Sequence, residues 1–337
     1  MDQEAITQVC QQKFGHLEKN IPQFVEEIIQ HILYYNHPGN AIEISRKSLV
    51  KEEINARSFL TPVNYRLGQK CITILYENEN IKFAIHPLLA HLETDNRGKE
   101  NHILECFEKE NLVIVKYNGN IIEAFTKDKM EYYTGNVRQL MYSILYEKDF
   151  NDWMAMLHAS GIVSKGQALL FSAESGSGKS TISAILKAKG YDYLGDDFIA
   201  TDVRGKAYPF PAAISVKQGS VKVLSGYYPE LKKVETKETF IGKQVKYLPV
   251  HNINKESMKG AIVKAFVFVN YSKSDNFSFK QIDKRTALQS LLKETWVNPK
   301  PEFVTGFFEW IEKTEFYHLN YSNTDEALEV VNQIFNP

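Results

Sequence analysis

Residues 167–190 read QALLFSAESGSGKSTISAILKAKG. ALLFS is an apolar run of strand length, and TISAILKAKG carries apolar residues at helical spacing. Between them Ala173–Ser180, AESGSGKS, supplies a turn of small residues. Strand, glycine-rich turn and helix in this order make a loop whose backbone N–H groups can curl round phosphate oxygens at the positive end of the helix. Gly176 and Gly178, which lack a Cβ, permit that curl. Lys179 is expected to reach the β- and γ-phosphates and the Ser180 hydroxyl to ligate Mg²⁺, with Ala173, Glu174, Ser175, Ser177 and Thr181 completing the cradle. Ala173 stands where the eight-residue pattern usually opens on glycine. The plainer alternative is a Gly/Ser turn before an ordinary helix, and the GSGKST core in this flanking context favours the nucleotide site.

Working outward, Tyr191–Asp197 reads YDYLGDD, a short apolar run that ends in two adjacent carboxylates. Asp196 lies 17 residues beyond Lys179 (196 − 179), a spacing that returns the chain beside the first strand and sets an acid near the metal. Phosphoryl transfer to a hydroxyl needs charge neutralisation by Mg²⁺ and a carboxylate that accepts the acceptor's proton, so two acids can divide those roles. A solvated turn at a strand end would also present two aspartates, and the preceding loop argues against it. His158 lies 15 residues before Ala173 (173 − 158), in LHAS; taken alone it reads as a packed or capping histidine.

The remaining composition sets bounds. Among 337 residues, 43% are apolar and 24% charged, the mix of a folded globular chain with room for two domains. Forty basic against 41 acidic side chains leave a net charge of −1, which lacks the bulk attraction behind nonspecific nucleic-acid binding. Cys10, Cys71 and Cys106 form no CxxC pair and are expected as reduced, buried thiols. The start, MDQEAITQVC, lacks the basic and apolar regions of a secretory signal, and the apolar run at residues 261–270 is too short to span a bilayer. A cytoplasmic protein that neither binds nucleic acid nor enters a membrane is expected, with a homo-oligomer left open.

In the first 36 residues, Pro22 suits a helix start, and Phe24, Val25, Ile28, Ile29, Ile32 and Leu33 share one helical face. Strand-like runs follow at Cys71–Tyr76, Ile81–Ile85, Val113–Tyr117 and Ile121–Phe125, the last two flanking Asn118-Gly119-Asn120, a hairpin signal. Residues 137–157 read as a helix, and the domain boundary is set near residue 135. The expected architecture is a smaller mixed α+β N-terminal domain, residues 1–135, expected as an accessory domain that recognises the substrate, followed by an α/β or α+β domain, residues 136–337. Within the latter the reading is strand 167–172, helix 179–189, strand 191–194, strand-rich chain to Val269, helices near 285–295, 301–312 and 325–335, and a strand at FYHLNY.

His158, AESGSGKS and Asp196-Asp197 at these spacings resemble the catalytic domain of HPr kinase/phosphorylase, and more closely the shorter HPr-kinase-like serine kinases. The resemblance covers roughly residues 155–220. It implies a phosphate-loop kinase domain of the fold shared with PEP carboxykinase, ATP and Mg²⁺ as cofactors, and a seryl hydroxyl as target. It further implies Asp196 as the base, Asp197 as a holder of Mg²⁺ and His158 as an orienting group, although either aspartate could play either part. PFPAAISVKQGS, residues 209–220, resembles a stretch of the same relatives and makes Lys217 a substrate- or phosphate-side candidate; Lys246 is weaker. No counterpart of the EIRGLG stretch of bifunctional HPr kinases is present, which speaks against phosphorylase activity and recognition of HPr itself.

Other classes fit less well. A GTPase needs NKxD, and NKES at 254–257 lacks the base-reading aspartate; an ABC-type ATPase needs LSGGQ, of which VLSGYYPE at 223–230 keeps only LSG. A non-catalytic ATP-binding regulator would have no use for a proton acceptor such as Asp196 or Asp197. The expectation is an ATP- and Mg²⁺-dependent kinase acting on a hydroxyl, serine by preference, of a peptide, small protein or metabolite. A peptide precursor is preferred on family analogy.

Overall fold

The structure is a computed structural model that describes residues 58–96, 102–174, 176–239, 242–251, 253–274, 277–293 and 295–336. Of the first 57 residues it describes only Gln8, Gln12, Glu26, Glu27, Ile28, Gln30 and Ile32. Most of the expected N-terminal helix, Cys10 and Ser175 lie outside the described residues. The chain divides into two compact units, residues 34–150 and residues 1–33 with 151–337.

The unit of residues 34–150 holds a five-stranded sheet of β1 (Val63–Leu67), β2 (Lys70–Tyr76), β3 (His102–Lys109), β4 (Leu112–Tyr117) and β5 (Asn120–Thr126), in that order. Neighbours are antiparallel except β2 and β3, which run parallel and therefore need a crossover. Helix α1 (Glu79–Leu89) makes it. The strand expected at 81–85 is thus helical, because Asn78 caps the helix, its side chain accepting from the Ile81 N–H at 3.0 Å, and Ile81, Ala84, Ile85 and Leu89 bury one face. Asn118 and Gly119 have φ of 47° and 81°, the conformation an Asn-Gly hairpin requires. Helix α2 (Met130–Tyr146) packs on β2, β4 and β5 and so belongs with this unit, whereas the sequence places the boundary near residue 135. Glu147 ends it in the left-handed region (φ 52°). Residues 155–157, read as helix from sequence, pair as a strand instead.

The second unit is mixed α/β with several sheets. Its large sheet runs β17 (Thr295–Val297), β6 (Ala155–Leu157), β10 (Ile199–Thr201), β11 (Lys206–Tyr208), β15 (Ala261–Tyr271), β8 (Gln167–Ser172), β7 (Ser160–Ser164) and β9 (Asp192–Gly195). β18 (Glu315–Tyr321) also pairs with β15, and β16 (Ser278–Gln281) pairs with β18. A small sheet joins β12 (Ile214–Lys217), β14 (Gln244–Leu248) and β13 (Lys237–Glu238).

Alternation along the central strand decides which side chains face which layer. Ala168 and Leu170 of β8 enter one core with Leu288 of helix α5 (Lys284–Leu292) and Val304, Phe307 and Ile311 of α6 (Pro301–Lys313). Ile28 and Ile32, one helical turn apart, are buried in that same core. Leu169 and Phe171 enter the opposite core with Ile182 and Leu186 of α3 (Lys179–Ala188) and Val330, Val331 and Ile334 of α7 (Thr324–Phe335). One further helix, α4 (Gln218–Leu224), interrupts the strand-rich stretch. Truncating a buried phenylalanine in either core costs about 3–5 kcal/mol. β8, β15 and β18 are mutually parallel, so their C-terminal ends, Ser172, Tyr271 and Tyr321, meet at one edge of the sheet. Among the described residues no helix is long and apolar enough to cross a membrane, and Cys71 and Cys106 are buried free thiols.

Candidate functional site

The loop leaves β8 at Ala173, half-buried against the α3/α7 core, and turns at once. The Ser177 N–H donates to the Glu174 carbonyl at 3.0 Å, and Gly176 and Gly178 take φ of 103° and 98°. Left-handed backbone at both glycines throws the chain into a tight curl that an L side chain resists. At Gly178 space is short as well: a Cβ there would lie 2.4 Å from the Tyr321 hydroxyl and 3.2 Å from the Tyr271 Cβ. The loop ends on α3, whose first-turn N–H groups point out of the helix end. Ser160 of β7 donates to the Lys179 carbonyl at 3.1 Å and accepts from Ser183 at 2.7 Å, tying that end of the helix to the sheet.

Five expected side chains meet beside the loop. Lys179 Nζ lies 2.6 Å from Asp197 Oδ1, and His158 Nε2 lies 3.6 Å from the same oxygen, an ion pair when the imidazole is protonated. The Ser180 hydroxyl donates to Asp196 Oδ1 at 2.8 Å, and the backbone N–H of Ser215 on β12 donates to Asp196 Oδ2 at 3.2 Å. The two aspartates thus face different partners, although they are adjacent in sequence. Asp197 sits at φ 61°, a left-handed position aspartate tolerates better than most residues. His158 reaches the pair from the turn between β6 and β7, where the Ala159 N–H donates to the Leu157 carbonyl at 2.9 Å.

The electrostatics follow from burial. Asp196 is 6% exposed, and loss of hydration, with the Asp197 carboxylate beside it, pushes its carboxyl up to about 7 against the pull of Lys179 and the Ser180 hydroxyl. A buried carboxylate whose ionisation is that costly, bonded to a hydroxyl at the mouth of a phosphate-shaped loop, is a donor set that fits Mg²⁺. That ion takes hard oxygen ligands and is held by few protein groups, with phosphate and water supplying the rest. Among the described residues no group of three or more His, Cys, Asp and Glu gathers as a ligand set, so Ser180 and Asp196 would be the protein's share.

The other named residues fall in varied places. Thr181 is bonded to Ser220 of α4 at 2.6 Å, Glu174 is exposed and Ser175 lies outside the described residues. Lys217, the last residue of β12, two residues beyond Ser215, lies within electrostatic reach of the acid pair: burial pushes its ammonium down, Asp197 and Asp196 oppose that, and Lys243 and Lys179 add to it. Lys246 donates instead to the Val234 carbonyl. NKES has a structural use, Asn254 and Ser257 both donating to Asp192 Oδ2, at 3.1 and 2.9 Å. Sequence reasoning missed Ser160, the Ser215 amide, Lys243, Tyr271 and Tyr321. FYHLNY holds Tyr321 and PFPAAISVKQGS holds Ser215, but the first said nothing of the loop it ends against and the second pointed to Lys217 rather than to a backbone N–H.

No protein-family model matches the chain, and no curated protein matches it. Among solved structures the chain is similar to the HPr(Ser) kinase/phosphatase from Coxiella burnetii, at 14% identity over 54% of this chain and 94% of that one, with a TM-score of 0.24.

Proposed function

We propose that this protein is an ATP- and Mg²⁺-dependent kinase that transfers the γ-phosphate to a hydroxyl, with serine in a peptide or small protein as the preferred acceptor. The observation that carries the reading is the division of the acid pair: Asp196 on the Ser180 hydroxyl, Asp197 on Lys179 with His158 beside it. A loop that only held a nucleotide would need the first arrangement and not the second.

In this reading the backbone N–H groups around Gly176 and Gly178 and the Lys179 ammonium hold the phosphates. Ser180 and Asp196 form the metal side, where Mg²⁺ supplies charge neutralisation. Asp197, which is more exposed than Asp196, takes the acceptor's proton, and His158 orients that carboxylate. These roles invert the assignment that the family resemblance implied for the two aspartates, and the hydrogen bond from Ser180 to Asp196 is the reason. The acceptor-recognition role expected of residues 1–135 passes in this reading to the compact unit of residues 34–150.

The test is mass spectrometry of serine-bearing peptides, small proteins and hydroxyl metabolites after incubation with Mg²⁺ and ATP. A gain of one phosphate is expected, reduced about 10²–10⁴-fold in Asp197→Asn with ATP binding retained. Asp196→Asn should instead raise the Mg²⁺ concentration needed for half-maximal rate. Transfer to free metabolites while every peptide is ignored would overturn the acceptor class, and ATP binding without any transfer would overturn the kinase.

A further inference from the structure

The order of strands says where the rest of a nucleotide must lie. β8, which carries the loop, has β7 and then β9 on one side, and β9 leads directly to Asp196 and Asp197. On the other side lies β15, with β18 beyond it, both parallel to β8 and ending at the same edge. The reacting end of a triphosphate is drawn to the acid and metal side by Lys179, Ser180 and Asp196. The nucleoside, joined at the opposite end of the phosphate chain, is therefore directed over the ends of β15 and β18.

An aromatic ring is waiting there. Tyr271 is the last residue of β15, and its N–H donates to the Ser177 carbonyl at 3.0 Å, so the strand end is fastened to the loop. Its side chain starts against Gly178, with the Cβ in the space a Gly178 Cβ would need. Tyr271 is itself 43% exposed, beside a loop whose Gly176 is open to solvent and whose Gly178 is half-buried. Tyr321 pairs with it in register across β15 and β18 and is only 6% exposed. The two rings meet edge to face, centroids 5.5 Å apart at 63°. One ring is thus held by the core and steadies the other, which is left partly open to solvent at the loop.

We infer that Tyr271 is the stacking platform for the base of the donor nucleotide, steadied by Tyr321, an inference that rests on the nucleotide-site reading above. Stacking on an aromatic face recognises a flat π-system without reading its edge, so the site should accept purine nucleotides with little preference between adenine and guanine.

The experiment is calorimetric titration of the full chain with Mg²⁺·ATP, Mg²⁺·GTP and Mg²⁺·tripolyphosphate, which carries the phosphates and no base. Wild type should bind both nucleotides at least about tenfold more tightly than tripolyphosphate. Tyr271→Ala should weaken ATP and GTP by roughly 5- to 150-fold, the range found when an aromatic stacked on a base is removed. Tripolyphosphate binding should stay unchanged, and Tyr271→Phe should restore the nucleotide affinity. Equal losses for ATP and tripolyphosphate in Tyr271→Ala would mark the residue as a support of the loop and overturn the inference, as would no loss for either. Wild type that binds tripolyphosphate and ATP equally well would overturn the inference while leaving the phosphate site standing; wild type that binds neither would overturn both.

Discussion

Each unit gathers a cluster of buried polar groups, and the two clusters differ in kind. Within residues 34–150, Tyr65, Tyr76, Tyr133 and Cys106 lie together in the core, with Tyr65 Oη 3.2 Å from Tyr76 Oη and 2.8 Å from His86 Nδ1. Burial raises all four above their ordinary values, the Cys106 thiol to about 12, so each stays neutral at physiological pH. Beside the phosphate loop the second unit buries Asp196 and Lys179 instead, one of them a carboxyl held against its preference. A neutral, mutually bonded cluster serves to specify one packing at little electrostatic cost. Buried charge costs stability, and Asp196 and Lys179 stand beside a loop built to hold an anion, which makes that end of the second unit the candidate site.

Four measurements can break or sharpen that contrast. The largest effect is expected from Lys179→Ala, which should lower transfer by roughly 10²–10³-fold and weaken nucleotide binding with it, because the ammonium serves the ground state and the transition state alike. Unaltered transfer would remove the loop assignment. Gly178→Ala should weaken ATP binding by about tenfold or more, since a left-handed residue other than glycine costs about 1–2 kcal/mol and the methyl would meet the Tyr321 hydroxyl. An isothermal titration that matches wild type would show the curl to be unimportant.

The third measurement is of stability against pH in the presence of EDTA. Asp196 binds its proton more tightly in the folded chain, at about 7, than at its ordinary 3.8. Its contribution is therefore present below about 3.8 and lost as pH rises through about 7. Asp196→Asn keeps the shape without the charge, so its melting temperature relative to wild type should climb between pH 4 and pH 7, by on the order of 2–4 °C per kcal/mol of relieved cost. A difference that does not change with pH would mean the carboxyl is not held neutral. The smallest effect is expected in the other unit, where Tyr65→Phe leaves His86 and Tyr76 short of a partner and should cost about 1–3 kcal/mol by denaturant midpoint, with transfer per folded molecule unchanged.

Much of the site was legible because it is local. The strand, turn and helix of residues 167–188 lie where the apolar runs and glycines put them. The hairpin at Asn118-Gly119 was equally readable, since its signal is the backbone freedom of two residues. Failures came where a short apolar run had to be assigned a partner. Residues 81–85 alternate well enough for a strand, but Asn78 caps them into the crossover that parallel β2 and β3 require. Residues 155–157 continue a helical pattern in sequence, yet Glu147 ends the helix and the chain becomes the strand between β10 and β17. A run of three to five apolar residues fits either state, and the neighbour that buries it decides.

From the sequence alone came the chemistry of the loop, the lysine and hydroxyl that follow it, the two carboxylates at the next strand end and a histidine at a suggestive spacing, because those depend on residue type and local order. Tertiary structure decided which acid faces which partner, that Lys217 feels the charges of the acid pair while Lys246 is bonded to the Val234 carbonyl, and that Tyr271 and Tyr321, far along the chain, end against Gly178. The physical reason is that a side chain's role depends on distance, direction and hydration. Those are set by strands paired across a hundred residues of chain, which no local spacing encodes.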